Sequence, residues 1–70
     1  MTAPARTPIT LTVTVLRNER DMPSIQVAND RRPKGEWIPR ALIIDMTREA
    51  EDGSAQLTIA KALAQTRGLA

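Results

Sequence analysis

From Ile9 to Val15 every second side chain is aliphatic: Ile9, Leu11, Val13 and Val15 alternate with Thr10, Thr12 and Thr14. A period of two over β-branched residues predicts a strand with one apolar face toward a core and a threonine face outward. The alternation breaks at the charged stretch 17–22, which ends against Pro23 and reads as a loop. It resumes at 24–28, with Ile25 and Val27 inward, so these two runs predict a β-hairpin. A second turn is expected over 29–35, where Asn29, Asp30, Pro33 and Gly35 each favour a turn for a reason of their own. Beyond it lies a short third strand, Glu36, Trp37 and Ile38, closed by Pro39, which lacks the N–H a ladder needs.

Residues 42–50 fit two patterns. As a strand they turn Leu42, Ile44 and Met46 inward. As a helix started by Pro39 they gather Leu42, Ile43, Met46 and Ala50 on one side. Asp52-Gly53 is a good hairpin turn before the alternating Ala55, Leu57 and Ile59. A short helix is expected over about 60–67, from its Ala, Lys, Leu and Gln content. Gly68 stands where a left-handed residue ends a helix, and Leu69 can fold back on the last turn. The first eight residues, with Pro4 and Pro8, read as a disordered arm before a single domain at 9–70.

Two of these segments resemble a known pattern. Trp37-Ile38-Pro39-Arg40-Ala41-Leu42-Ile43 resembles a W-[IL]-P-[KR]-x-x-I element, and Leu57 to Leu69 resembles L-T-[IV]-P-x-W-L-A-x-x-x-G-L. Both occur, in this order and after two strands, in small proteins encoded by bacteriophages and prophages. Ala60 and Ala62 stand here in place of that pattern's proline and second tryptophan. The resemblance implies strands on both sides of Asp52-Gly53 and carries no catalytic residues. The fold expected is therefore α+β: a small, mostly antiparallel sheet of roughly four or five short strands, open or barrel-like, packed by one C-terminal helix.

Composition limits what such a domain does. At 70 residues the chain is near the lower limit for an independent core. With no cysteine and no histidine it has no disulfide, an improbable zinc site and no Ser/His or Cys/His pair. The three glycines, Gly35, Gly53 and Gly68, are too dispersed for a phosphate loop. Asp45, Glu49, Glu51 and Asp52 could hold a hard cation loosely, but a solvated acidic edge explains them better. No cofactor and no enzymatic activity are expected. Nothing resembles an export signal or a membrane span, and the expected location is the cytoplasm of a bacterial host.

Trp37 is the sole aromatic residue, and its size makes it the expected packing hub. It is also flanked by Arg31, Arg32, Lys34 and Arg40, with Glu36 the one acid within 31–40. These five residues, Arg31, Arg32, Lys34, Trp37 and Arg40, form the candidate binding set. If the ring is buried, the basic groups make a rim for a protein partner. An exposed ring could instead stack a base while the arginines hold phosphate. The leading reading is a protein-interaction module of phage or mobile-element type that occludes or adapts a larger assembly, for instance as an inhibitor of a host defence system. A nucleic-acid-binding module is the alternative. Charge segregation between 31–40 and 45–52 adds a homodimer, or a head-to-tail contact between copies.

Overall fold

The computed structural model describes residues 7–70. The expected arm falls mostly outside them, but Pro8 already belongs to the first strand and pairs with Ala60. Five strands form one antiparallel sheet: β1 (Pro8–Arg17), β2 (Ser24–Asn29), β3 (Arg32–Pro39), β4 (Ile43–Met46) and β5 (Ser54–Ala60). A single helix follows, α1 (Lys61–Thr66). The spatial order is β3-β2-β1-β5-β4, so β1 is the central strand and β3 and β4 are the edges.

This order forces the sheet to curl. In a flat sheet β3 and β4 would lie four spacings apart, roughly 19 Å. The two also run in the same direction, since each is separated from β1 by two antiparallel steps. Yet only the three residues of a 3-10 turn, Arg40–Leu42, join the end of β3 to the start of β4. Such a turn advances about 6 Å in all. The edges can be joined so briefly only if the sheet wraps around on itself, an open form of the barrel arrangement. Its inside is aliphatic: Val13, Ile25, Val27, Ile38, Leu57 and Ile59 form the core together with Ala64 and Leu69.

The alternation of β1, β2 and β5 is realised as the sequence predicts. Ile25, Val27, Leu57 and Ile59 are fully buried, while Thr10 and Thr12 face outward. Thr10 and Thr58 share a hydroxyl hydrogen bond of 2.8 Å, and the Gln56 amide donates to the Thr12 hydroxyl at 2.9 Å. These contacts belong to the ladder's non-hydrogen-bonded pairs, where side chains come closest.

Three expectations are corrected. The turn after β2 is only Asp30 and Arg31, tightened by the Asn29 Oδ1, which accepts the N–H of Arg31 and Arg32 at 3.0 and 3.1 Å. β3 therefore starts at Arg32. Pro33 is tolerated because an edge strand leaves N–H groups unused, and Gly35, at φ +93°, lies where the register with β2 shifts. Residues 43–46 form a strand, but Leu42 and Ile44 do not point inward. A register shift between Ile43 and Asp45 leaves Ile44 59% and Leu42 51% exposed, while Ile43 and Met46 pack against the core. The third correction concerns Trp37. It is 38% exposed, and the adjacent Ile38 is fully buried. The cause is parity: Ile38 pairs with Ile25 and Trp37 with Gln26, so the face that buries Ile25 must turn Trp37 out.

The helix ends as expected. Leu69 N–H reaches the Ala64 carbonyl at 2.8 Å and Gly68 N–H the Gln65 carbonyl at 3.1 Å, with Gly68 at φ +76°. This is the Schellman arrangement. It drives Leu69 into the core, where it is nearly inaccessible. At the other end Lys61 N–H finds the Thr7 carbonyl at 2.7 Å, which satisfies one of the first turn's orphan donors.

Candidate interaction surface

Trp37 lies on the outer face of the β1–β2–β3 part of the sheet. Across the strands it sits opposite Gln26, which in turn pairs with Arg17. Leu16 shares the outward side of β1 with Thr10, Thr12 and Thr14 and is 44% exposed, and the ladder with β2 is irregular around it, between Val15 and Arg17. Leu16 reaches over β2: a methyl group placed on Gly35 would stand 2.7 Å from Leu16 Cδ1 and 3.3 Å from Gln26 Cγ. Gly35 is therefore the floor beneath Leu16, and Trp37 is the next outward residue on the same strand. Leu16, Gln26 and Trp37 make a mainly apolar row on an otherwise threonine-rich exterior.

Beside this row runs the β1–β2 loop, residues 18–23, held in place by Arg40. The Arg40 guanidinium donates from Nε to the Met22 carbonyl at 2.7 Å and from its Nη2 to the Glu19 carbonyl at 2.5 Å. Its main-chain N–H adds a bond to the Pro23 carbonyl at 2.8 Å. The loop also carries the ion pair between Arg17 and Glu19, both solvated.

The five candidate residues are thus not brought together as one basic platform. Arg40 is a clamp on the loop. Arg32 donates from Nε to the Arg67 carbonyl at 3.2 Å, serving one of the carbonyls that a helix end leaves unpaired. Arg31 lies in the turn at the far end of the hairpin, and Lys34 is three residues from Trp37 along β3, about 10 Å. Leu16 and Gln26, which the sequence reading did not select, share the face of Trp37 instead. Leu16 has the outward parity of Thr10, Thr12 and Thr14, but nothing in the alternation ties it to Trp37 across β2.

The acids at 45–52 do not converge either. Among the described residues no group of three or more carboxylates is placed to hold a metal. Asp52 accepts from Ser54 twice, at 2.6 Å from the hydroxyl and 2.9 Å from the N–H. The Ser54 hydroxyl, then its N–H, hold the Asp52 carboxyl below its ordinary value.

Charge is nevertheless polarised along β1. Near its Pro8 end lie the hairpin turn and the helix, with Arg31, Arg32, Lys34, Lys61 and Arg67 against Asp30. Near its Arg17 end lie the 18–23 and 47–53 loops, with Glu19, Asp21, Glu49, Glu51 and Asp52 against Arg17, Arg20, Arg48 and the loop clamp Arg40. The bond from Val15 N–H to the Gly53 carbonyl, 2.8 Å, fixes the second loop at this end.

Comparison with family models, curated proteins and solved structures gives no significant match. Among the described residues no helix is long and apolar enough to cross a membrane.

Proposed function

We propose that the protein is a non-enzymatic interaction module of phage or mobile-element type. It binds a larger protein assembly through the outer face around Trp37 and so occludes or adapts it, inhibition of a host defence system being one form of this. The observation that carries the reading is the half-exposed Trp37 and the exposed Leu16 on a sheet face that no other described element covers. A ring held on rigid strands loses little entropy on binding, and tryptophan is the side chain most enriched at the energetic centre of interfaces. Exposure of the ring alone would equally suit base stacking. What favours the protein reading is that Arg32 and Arg40 give their guanidinium groups to main-chain carbonyls of the protein itself.

Capture from a bacterial lysate on the immobilised full chain tests this. Trp37→Ala and Leu16→Ala should keep the β-sheet circular-dichroism spectrum and lose the captured protein by roughly thirtyfold, the scale of an interface hot spot. Single-stranded oligonucleotides at low salt should leave Trp37 emission unchanged. Capture of the same protein by Trp37→Ala, or strong quenching by the oligonucleotide, would end the reading.

A further inference from the structure

β1 is paired with β5 along its length but with β2 only from Thr14 onward. The β1–β5 register runs from Pro8↔Ala60 to Thr14↔Ser54, whereas the β1–β2 register begins at Thr14↔Ala28. β2 then turns away at Asp30 and Arg31. The first half of β1 thus has an open side within the sheet, although β1 is its central strand.

The open side bears main-chain groups that no strand among the described residues pairs. Val15 donates its N–H to Gly53, and Thr7 accepts from Lys61, so the odd-numbered residues aim their main-chain groups at β5. Successive residues of a strand aim them in opposite directions. Thr10 and Thr12 therefore present N–H and C=O to the gap. The gap is a groove of about 430 Å³, with Leu11, Thr12, Val13, Ala28, Arg31 and Leu69 among its walls. Its walls are mixed, Asp30 standing beside Arg31, its strand side carries the Thr10 and Thr12 main-chain groups, and the basic end of the molecule lies at its mouth.

We propose that this groove receives an extended, acidic segment of a protein partner. The segment adds as a strand antiparallel to β1 at Thr10 and Thr12, in the position a longer β2 would have taken. Its alternate apolar side chains pack over the partly exposed Leu11, and its carboxylates meet Arg31, Lys34 and Lys61, which outnumber Asp30. Main-chain bonds supply the affinity in such strand addition and the side-chain pockets the selectivity. The basic pole selects an acidic sequence over a basic one. The groove lies apart from Trp37, so the protein presents two surfaces.

The test uses the full chain, ¹⁵N-labelled, and a fluorescein-labelled peptide of alternating Glu and Val. A matching Lys and Val peptide and a single-stranded oligonucleotide serve as comparisons. The Glu peptide should shift the amide resonances of residues 10–12, slow the exchange of the Thr10 and Thr12 N–H groups, and bind at least roughly tenfold more tightly than the Lys peptide. Arg31→Glu, at an exposed turn, should weaken it by about tenfold. Thr12→Pro should abolish binding, and because that N–H faces the gap no bond to β5 is lost. If Thr12→Pro does not fold, Arg31→Glu decides alone. Trp37→Ala should leave peptide binding intact, so failure here and failure at the Trp37 face are told apart. No shift at about 1 mM peptide, shifts centred on Trp37, no effect of Arg31→Glu, or tighter binding of the oligonucleotide would each overturn the proposal.

Discussion

Gly35 has to be glycine for two reasons that act through different atoms. Its backbone, at φ +93°, is in a region that a Cβ disfavours, and Leu16 occupies the space where that Cβ would stand. Gly35→Ala is expected to destabilise the fold by about 1–3 kcal/mol, measured by urea titration. The double change with Leu16→Ala should recover only the part due to contact, because the backbone strain remains. If the double variant regained full stability, the strain at φ +93° would be negligible. Residue-level legibility follows from the same neighbourhood. In β1, β2 and β5 the aliphatic residues alternate, and Val13, Ile25, Val27, Leu57 and Ile59 announce their own burial. In β3 the alternation points the wrong way: Arg32, Lys34, Glu36 and Ile38 form a mostly charged set, and Pro33, Gly35, Trp37 and Pro39 a set with no polar side chain. Side-chain size then points to Trp37 as the hub, but the pairing of Ile38 with Ile25 settles the matter through a partner that the local pattern does not reveal.

Among the elements, the β1–β2 loop depends on a residue from outside it. Arg40 reaches two carbonyls with one planar fork, and a lysine ammonium cannot reproduce that geometry. Arg40→Ala should lower stability by about 1 kcal/mol and raise amide exchange across 19–23. Arg40→Lys should restore little of either. Full rescue by lysine would show that charge rather than geometry holds the loop. The sequence marked Arg40 as basic and near Trp37, which made it a natural ligand for phosphate. What it could not show was that the β2–β3 pairing, with Ser24 opposite Pro39, sets Arg40 beside Pro23. The β3–β4 connection was likewise readable only as a choice between strand and helix. Its outcome, a turn followed by a four-residue strand, is set by closure of the sheet.

At the scale of the whole molecule the strand order matters most. A mostly antiparallel sheet of four or five strands and a C-terminal helix were legible, from alternation, turn residues and the Gly68-Leu69 ending, with the strand at 43–46 left open by the local pattern. The order was not, because it depends on which strands meet at long range. The same order explains the charge polarity: the β2–β3 turn and α1 meet at one end of β1, and the 18–23 and 47–53 loops at the other. Segments of opposite sign that are close in the sequence are thereby held apart. Neither sign neutralises the other internally, and the only ion pair among the described residues joins Arg17 to Glu19.

The pairing of β1 with β5 also bears on how the chain reaches its fold. Of the five strands, the central one is synthesised before the others and its long partner, β5, after them, with Pro8 opposite Ala60. Loop closure over that separation must precede the reward of pairing, a topology that folds in milliseconds to seconds rather than microseconds. On the ribosome, β1, β2 and β3 can form a meander, but the barrel lacks a wall until residues 54–60 have emerged. A chain ending at Arg48 should therefore show no cooperative thermal transition, while the full chain does. Throughout synthesis the apolar face of β1 waits for its partner, which makes the last strand, rather than the first, the one that commits this protein to its native state.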